Sequence, residues 1–362
     1  RPHMATQRSA TVCTQRFITR RSWRKRQEDA ARCSQPASKQ PAPSKPAPSR
    51  VAPPPPAPPS TTEPAPRAVT DSLSAIGTSN VDNIGEGAPV VELAKFDIGP
   101  GGMSGAIQRN DKEAFTRVAK ELGRNWWVAL DWGASDMAGR FWGGSADTWR
   151  EICAEGERAW PLMEPGRLIR GDGVEIVGQS PSGKPRGDRF VVANDKRLRD
   201  KQGVSMFPVL QSLHGALNKL GDCMAEPLAK EPRIGFKMKG RTESLFACFP
   251  GQGAEYGAHF DGGNGDPRKL TAILYLNEDW RAEHGGALLM YDATSAGGPC
   301  WRSVLPCAGT LVLFRSDRVL HKVAPAYERR FALTMFFGAT YGSGVRREDP
   351  RLARLRSFGY DI

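Results

Sequence analysis

The chain has 362 residues, 39% of them hydrophobic, which suits one large or two modest domains with a proper core. No apolar run approaches the roughly 18 to 20 uncharged residues that a membrane-spanning helix needs. The formal charge of +12 looks like a nucleic-acid signature until it is divided: residues 1–70 hold 13 Lys and Arg against three acidic residues, leaving 38 basic and 36 acidic side chains from residue 71 onward. The basicity belongs to the N-terminal segment, and the body offers no compositional case for binding DNA or RNA.

Arg1 to His3, ahead of Met4, read as a remnant of cloning. Residues 1–88 lack sustained periodicity, and 13 prolines fall between Pro36 and Pro66. Such a segment buries too little apolar surface to offset its ordering entropy, which predicts disorder with polyproline-II character. From Met4 to Arg32 it is rich in Arg, Ser and Thr and nearly free of acids until Glu28, the composition of an organelle transit peptide and equally of a solvated basic arm. Seven cysteines form no C-x-x-C pair, and their odd number argues for a reducing compartment, cytoplasm or nucleus. Cys300 and Cys307 are close enough to flank a hairpin, but two half-buried thiols are the simpler reading.

The folded region is expected over residues 89–342, with a β-rich core at about 233–340 and a basic, helix-compatible tail at 343–362. Phe115, Val118, Ala119 and Leu122 recur at i, i+3, i+4 and i+7, predicting a helix over Asp111 to Leu122, followed by a strand from Trp126 to Leu130. Ser145 as N-cap, with Trp149, Ile152, Cys153 and Gly156 on one side, signals a second helix, and a third spans roughly Met206 to Leu220. Short β-rich segments then take over: Ser244 to Phe249, Gly257 to Asp261, Leu270 to Leu276, Gly286 to Tyr291, Thr310 to Phe314 and Arg330 to Phe337. Several helices followed by evenly spaced strands predict a mainly β protein with supporting helices, an antiparallel sandwich or jelly roll.

On a strand, His259 and Asp261 project to the same side, so one segment supplies two converging metal ligands. His321, 60 residues further on, is the candidate third. Two neutral imidazoles and one carboxylate with open positions form the facial triad associated with non-haem iron(II) oxygenases. An H-x-D triplet alone is weak, and any single histidine is by default a core or surface residue. Rarity shifts the balance, because the chain holds five histidines, His3 lies in the remnant, and two of the other four fit the pattern. His214 and His284 read as ordinary surface residues.

Arg330 opens a strand across the Ala324-Pro325 break, where alternation places it with Thr334 and Phe336. If that face looks inward, the guanidinium is buried at a cost that an incoming carboxylate ligand offsets. The same alternation aligns Thr271, Ile273 and Tyr275, so the Tyr275 hydroxyl can share that carboxylate. A surface strand arginine is the competing reading.

These residues resemble the 2-oxoglutarate- and Fe(II)-dependent prolyl 4-hydroxylases, particularly the Egl-nine, oxygen-sensing type. The similar stretches are Gly257 to Asp261, Arg268 to Trp280, Gly285 to Leu288, Phe314 to Arg318 with His321, Pro325 to Tyr327 and Arg330, with an Arg186-Gly187-Asp188 triplet upstream. The resemblance implies a double-stranded β-helix (a cupin-like jelly roll), iron held by His259, Asp261 and His321, and 2-oxoglutarate held by Arg330 and Tyr275 with Thr271, Ile273, Leu288 and Val323 lining its pocket. It further implies that Asp188 and Arg268 pair near the entrance where a substrate proline docks. O2 would be the oxidant, ascorbate an ancillary reductant and a proline-containing protein or peptide the partner, acted on by a monomer. Phe249 and Phe336 depart from the tyrosine and tryptophan expected near the co-substrate, and no zinc-finger cysteine set precedes the domain. The alternatives are another oxygenase on the same barrel, acting on lysine, a free amino acid or a nucleobase, and a non-catalytic jelly roll whose proline-rich tail binds SH3- or WW-like partners.

Overall fold

The computed structural model describes residues 88–133, 146–169, 175–177, 187–262, 266–293 and 295–341. The readings made for residues 1–87, Ser145, Arg186 and the tail after Tyr341 lie outside them. In chain order the elements are β1 (Val90–Glu92), α1 (Gly102–Arg109), α2 (Lys112–Asn125), β2 (Trp127–Asp131), α3 (Ala146–Ala159), β3 (Glu164–Pro165), β4 (Arg167–Ile169), β5 (Glu175–Val177), β6 (Arg189–Val192) and α4 (Pro208–Lys230). There follow β7 (Phe236–Arg241), β8 (Leu245–Phe249), β9 (Ala254–His259), β10 (Arg268–Tyr275), β11 (Leu288–Asp292), β12 (Cys300–Val304), β13 (Thr310–Phe314), β14 (His321–Ala326) and β15 (Arg330–Tyr341).

Two sheets make the body. One has the order β1-β12-β11-β14-β9, and the other β2-β13-β10-β15-β8-β6-β3, with β7 also paired to the distal half of β15. Apart from the parallel contact of β1 with β12, these pairings are antiparallel. This is the double-stranded β-helix, and alternation decides what its larger sheet does with each face. Leu270, Ala272 and Leu274 of β10 and Phe331, Leu333, Met335 and Phe337 of β15 pack with the apolar sides of the helices in one core. The alternate residues Ile273, Tyr275 and Ala332 face a second core shared with Leu288 and Met290 of β11 and with Val323 and Ala326 of β14. The helices therefore cover the outer face of the larger sheet, which leaves the space between the sheets for a site.

The helix ends show how local chemistry sets these positions. Asp111 caps α2, its side chain accepting the Ala114 N–H at 3.0 Å, and the helix runs three residues past Leu122 before Trp126 turns left-handed at φ 73°. Helix α4 extends ten residues beyond the expected Leu220 and begins with Pro208 after Phe207, which gives no side-chain cap. The fully buried Glu155 of α3 replaces that cap by accepting the Val209 and Leu210 N–H groups at 3.0 and 2.8 Å. Burial pushes the Glu155 carboxyl pKa up, against the pull of those two bonds.

Several expectations need correction. The expected strand Gly257 to Asp261 ends at His259, so Asp261 lies beyond the ladder. The strand expected from Gly286 begins at Leu288, because Gly285 and Gly286 both hold a φ of +66°. The Ala324-Pro325 break falls inside β14, at a register shift where β9 and β14 part between Val323 and Ala326. His214 is a buried residue of α4, only 7% exposed, with Nδ1 2.9 Å from the Ser244 hydroxyl and Nε2 3.0 Å from the Asn218 amide. The reading of Cys300 and Cys307 as unbridged thiols holds, although Cys300 is buried and its strand pairs with β1 and β11 and forms no hairpin with the segment around Cys307.

Candidate active site

Strands β9 and β14 pair antiparallel with His259 opposite His321, so the ladder itself sets the two imidazoles side by side, ring centroids 4.2 Å apart. Asp261, two residues past the end of β9, turns its carboxylate between them: Oδ1 lies 3.5 Å from His259 Nε2 and Oδ2 3.7 Å from His321 Nε2. All three ligand atoms fall within 4.8 Å of one another.

The far side of each ring settles which nitrogen is available. His259 Nδ1 lies 2.9 Å from the Gly257 carbonyl and His321 Nδ1 lies 3.0 Å from the Val319 carbonyl. A carbonyl only accepts, so each Nδ1 carries a proton, and in the neutral ring this leaves Nε2 as the nitrogen with a lone pair toward the centre. Burial, with His259 alongside, lowers the His321 pKa to about 4 despite the opposing pull of Asp261, so His321 is a neutral, ligating imidazole at neutral pH. For Asp261 burial acts to raise the pKa, but His321 and His259, with Arg268 further away, outweigh it and hold the carboxyl well below the usual carboxylate range. Two imidazole Nε2 atoms and one carboxylate make a donor set that fits a divalent iron with open positions.

Arg330 opens β15 and is 3% exposed. Its Nε donates to the Gly286 carbonyl at 2.7 Å and one terminal nitrogen to the Tyr275 hydroxyl at 3.2 Å, with the guanidinium over the Phe249 and Tyr275 rings at 5.1 and 4.8 Å. Among the described residues no carboxylate forms an ion pair with it, and burial pulls its pKa down. A desolvated cation held by a carbonyl, a phenol and two aromatic faces retains N–H groups suited to an incoming carboxylate. Ile273, Leu288, Val323 and Phe249 share the core cluster of Tyr275, and of these Phe249 lies directly under that guanidinium. Gly286 is required here by close approach, since a Cβ would meet Arg330 Cδ at 2.9 Å and Ala326 Cβ at 3.1 Å.

One expected residue carries a further contact, and one expected pairing is absent. Thr271 is fully buried, but its hydroxyl donates to Asp261 Oδ2 at 2.8 Å, which binds it to the ligand set. Arg268 does not pair with Asp188; its Nε meets both oxygens of Asp266 at 3.1 and 2.9 Å, and its guanidinium stacks over Phe336 at 5.2 Å. An aspartate two residues upstream captures it locally, at less entropic cost than a partner from a distant strand. Asp188 is buried at 4% exposure against Gly166, where a Cβ would fall 2.6 Å from its Oδ2. Sequence reasoning did not single out Ser316, whose hydroxyl touches that of Thr271 at 2.9 Å, or the Gly286 carbonyl that holds Arg330. Ser316 lies in a turn outside the strand alternation, so periodicity gives no sign of it.

Residues 244–338 match the family model for the 2OG-Fe(II) oxygenase superfamily, a span that includes His259, Asp261, His321, Tyr275 and Arg330. The chain is 40% identical over 185 residues to Egl nine homolog 1 of Homo sapiens, covering 50% of this chain and 39% of that one. It is 39% identical over 126 residues to prolyl hydroxylase EGLN3 of Mus musculus, covering 34% and 52%. The matched region thus spans about half, or less, of the length of these curated relatives. A solved Trichoplax adhaerens prolyl hydroxylase, in complex with a hypoxia inducible factor peptide fragment, aligns over 64% of this chain and 91% of its own with a TM-score of 0.49 and 24% identity.

Proposed function

We propose, for a chain whose residues 244–338 carry a 2OG-Fe(II) oxygenase domain, that it is an iron(II)- and 2-oxoglutarate-dependent dioxygenase hydroxylating a prolyl residue in a protein substrate, in an oxygen-sensing role. One observation carries this reading: two Nε2 lone pairs and an ionised carboxylate converge between the sheets, in the same barrel as a buried guanidinium without an ion-paired carboxylate among the described residues. The prolyl specificity rests on the likeness to relatives named as prolyl hydroxylases.

His259, Asp261 and His321 would hold the iron, and Arg330 with Tyr275 the distal carboxylate of 2-oxoglutarate. Bound together, iron and 2-oxoglutarate supply the activation of O2 that couples decarboxylation to succinate and CO2 with oxygen insertion into a C–H bond. The protein's own task is placement and dryness. The Gly257 and Val319 carbonyls hold the proton of each neutral ring on Nδ1 and so aim Nε2 at the metal position. The Tyr275 phenol stays protonated, because burial pushes its pKa up more than Arg330 lowers it, and it remains a donor toward a carboxylate. Burial, with Phe249 against it, excludes water from the guanidinium, which strengthens its charge-assisted hydrogen bonds. Asp188 and Arg268 are proposed as contacts of the substrate peptide, each acting independently of the other. Among the described residues no helix is long and apolar enough to cross a membrane.

The test is anaerobic loading with Fe(II) followed by 2-oxoglutarate and O2, reading succinate and a proline-localised +16 Da shift in candidate peptides by mass spectrometry. Succinate with oxidised proline supports the reading. Succinate with oxidation on lysine alone would move the chain to another oxygenase class, and no 2-oxoglutarate turnover with any peptide or in its absence would end the enzyme reading.

A further inference from the structure

We infer that Thr271 and Ser316 form a two-hydroxyl relay that positions Asp261 for metal binding, an inference that rests on the oxygenase reading of the site. The three ligands are not equally constrained. His259 and His321 sit opposite each other in the β9–β14 ladder, and each ring is further fixed through Nδ1 to a backbone carbonyl. Asp261 has neither support, since β9 ends two residues before it. A carboxylate on loop backbone turns about two side-chain torsions unless something outside the loop holds it.

The relay supplies that hold. Thr271 on β10 donates its single hydroxyl proton to Asp261 Oδ2 at 2.8 Å, so in the 2.9 Å contact between the two hydroxyls Ser316 must be the donor and Thr271 the acceptor. Both side chains are fully buried, which keeps water from competing for either bond. Ser316 is itself fixed by backbone: its N–H donates to the Lys269 carbonyl at 3.2 Å, and its carbonyl accepts the Gly262 N–H at 2.9 Å. The turn after β13 is thus laced both to the strand that carries Thr271 and to the residue following Asp261. With Oδ2 taken by Thr271, Oδ1 is the carboxylate oxygen without a hydroxyl donor, and the carboxylate plane is set before any metal arrives. Thr271 is therefore a positioning residue. A wall of the co-substrate pocket is the role that the family resemblance alone would assign it.

The two roles predict different measurements on the full-length protein. Free Mn(II) is followed by electron paramagnetic resonance during titration of metal-stripped wild type, Thr271→Val, Thr271→Ser and Ser316→Ala, and 2-oxoglutarate affinity is then measured on each Mn(II)-saturated form. The relay predicts Mn(II) affinity lower by about 10- to 100-fold in Thr271→Val, the range for lost outer-shell partners, and restored to within about threefold of wild type in Thr271→Ser. Ser316→Ala should weaken Mn(II) by a few-fold, because Thr271 keeps its own donor proton. Affinity for 2-oxoglutarate, once metal is saturating, should change little in all three. Wild-type Mn(II) affinity in Thr271→Val, with weakened 2-oxoglutarate binding, overturns the relay and restores the wall role. If Thr271→Val does not fold, Ser316→Ala decides, and an unaltered Mn(II) affinity there overturns the relay. A wild-type protein that takes up no Mn(II), Co(II) or Fe(II) sinks the metal-site reading itself, and the relay with it.

Discussion

Arg330→Met separates a guanidinium kept for a ligand from one kept for the fold. The side chain is 3% exposed, its protein partners are one carbonyl at 2.7 Å and one phenol at 3.2 Å, and among the described residues no carboxylate pairs with it. Truncating one partner of a buried ion pair costs roughly 3–5 kcal/mol, because the other charge is stranded. Here no carboxylate in direct contact is stranded, and the buried Asp188 loses only a longer-range attraction. The two lost hydrogen bonds are worth about 1–3 kcal/mol together, offset by removing a desolvated cation and keeping similar apolar volume. The ligand-free protein should therefore unfold within about 1–2 kcal/mol of wild type, in either direction. The co-substrate should lose about 2–5 kcal/mol of binding, the cost of truncating one member of a buried hydrogen-bonded charge pair. At about 1.4 kcal/mol per factor of ten, that is a loss of roughly 30- to several-thousand-fold. Thermal unfolding of Mn(II)-loaded protein with and without 2-oxoglutarate reads both quantities, since ligand at about 100 times Kd stabilises by about 2.7 kcal/mol. A ligand-free variant destabilised by the full ion-pair amount, with the 2-oxoglutarate shift intact, would make Arg330 a structural residue and refute the pocket.

Asp261→Ala should abolish 2-oxoglutarate-dependent succinate release, and undiminished release from that variant contradicts the ligand assignment. Gly286→Ala forces a side chain into φ +66° and against Arg330 Cδ, so it should cost about 1–2 kcal/mol from conformation alone and raise the KM for 2-oxoglutarate. A KM equal to wild type in a folded Gly286→Ala protein counts against the packing described. His214 has its pKa depressed below the ordinary 6.5 by burial and by Arg241. The unfolded chain therefore takes up a proton there that the folded protein refuses, and stability present above about pH 6.5 is lost as pH falls below it. In urea unfolding between pH 7.5 and 5.5, His214→Gln should show a shallower loss than wild type, and identical slopes would exclude a buried neutral imidazole.

The periodicity of β10 and β15 is the part of the fold most legible in the sequence, because a strand buried on both faces still alternates between two different cores. Thr271, Ile273 and Tyr275 were grouped by alternation alone, and Ile273 and Tyr275 lie in the inter-sheet core opposite the helix-facing Leu270, Ala272 and Leu274. Less legible were α1, whose Gly-Met-Ser-Gly start has low helix propensity, and β14, whose Pro325 reads as a stop until the register shift beside it is seen. Strand β7 alternates Phe236 and Met238 against Lys237 and Lys239, a period-two pattern that the sequence carries openly.

At the site, residue type and spacing supplied the chemical inventory: two scarce histidines, an aspartate at the right spacing from one of them, and an arginine at the head of a strand whose inward or outward face alternation left open. Residue type and alternation are local properties, and a linear reading reaches them. Folding settles that His321 faces His259 across a ladder and that Thr271 and Ser316 grip the carboxylate, while the carbonyls that fix both imidazole tautomers and the Asp266 that takes Arg268 lie only two residues from their partners. The ladder and the hydroxyl grip depend on which strands become neighbours and in what register, and that choice is made by the burial of the two cores as a whole, beyond the reach of any single segment's pattern.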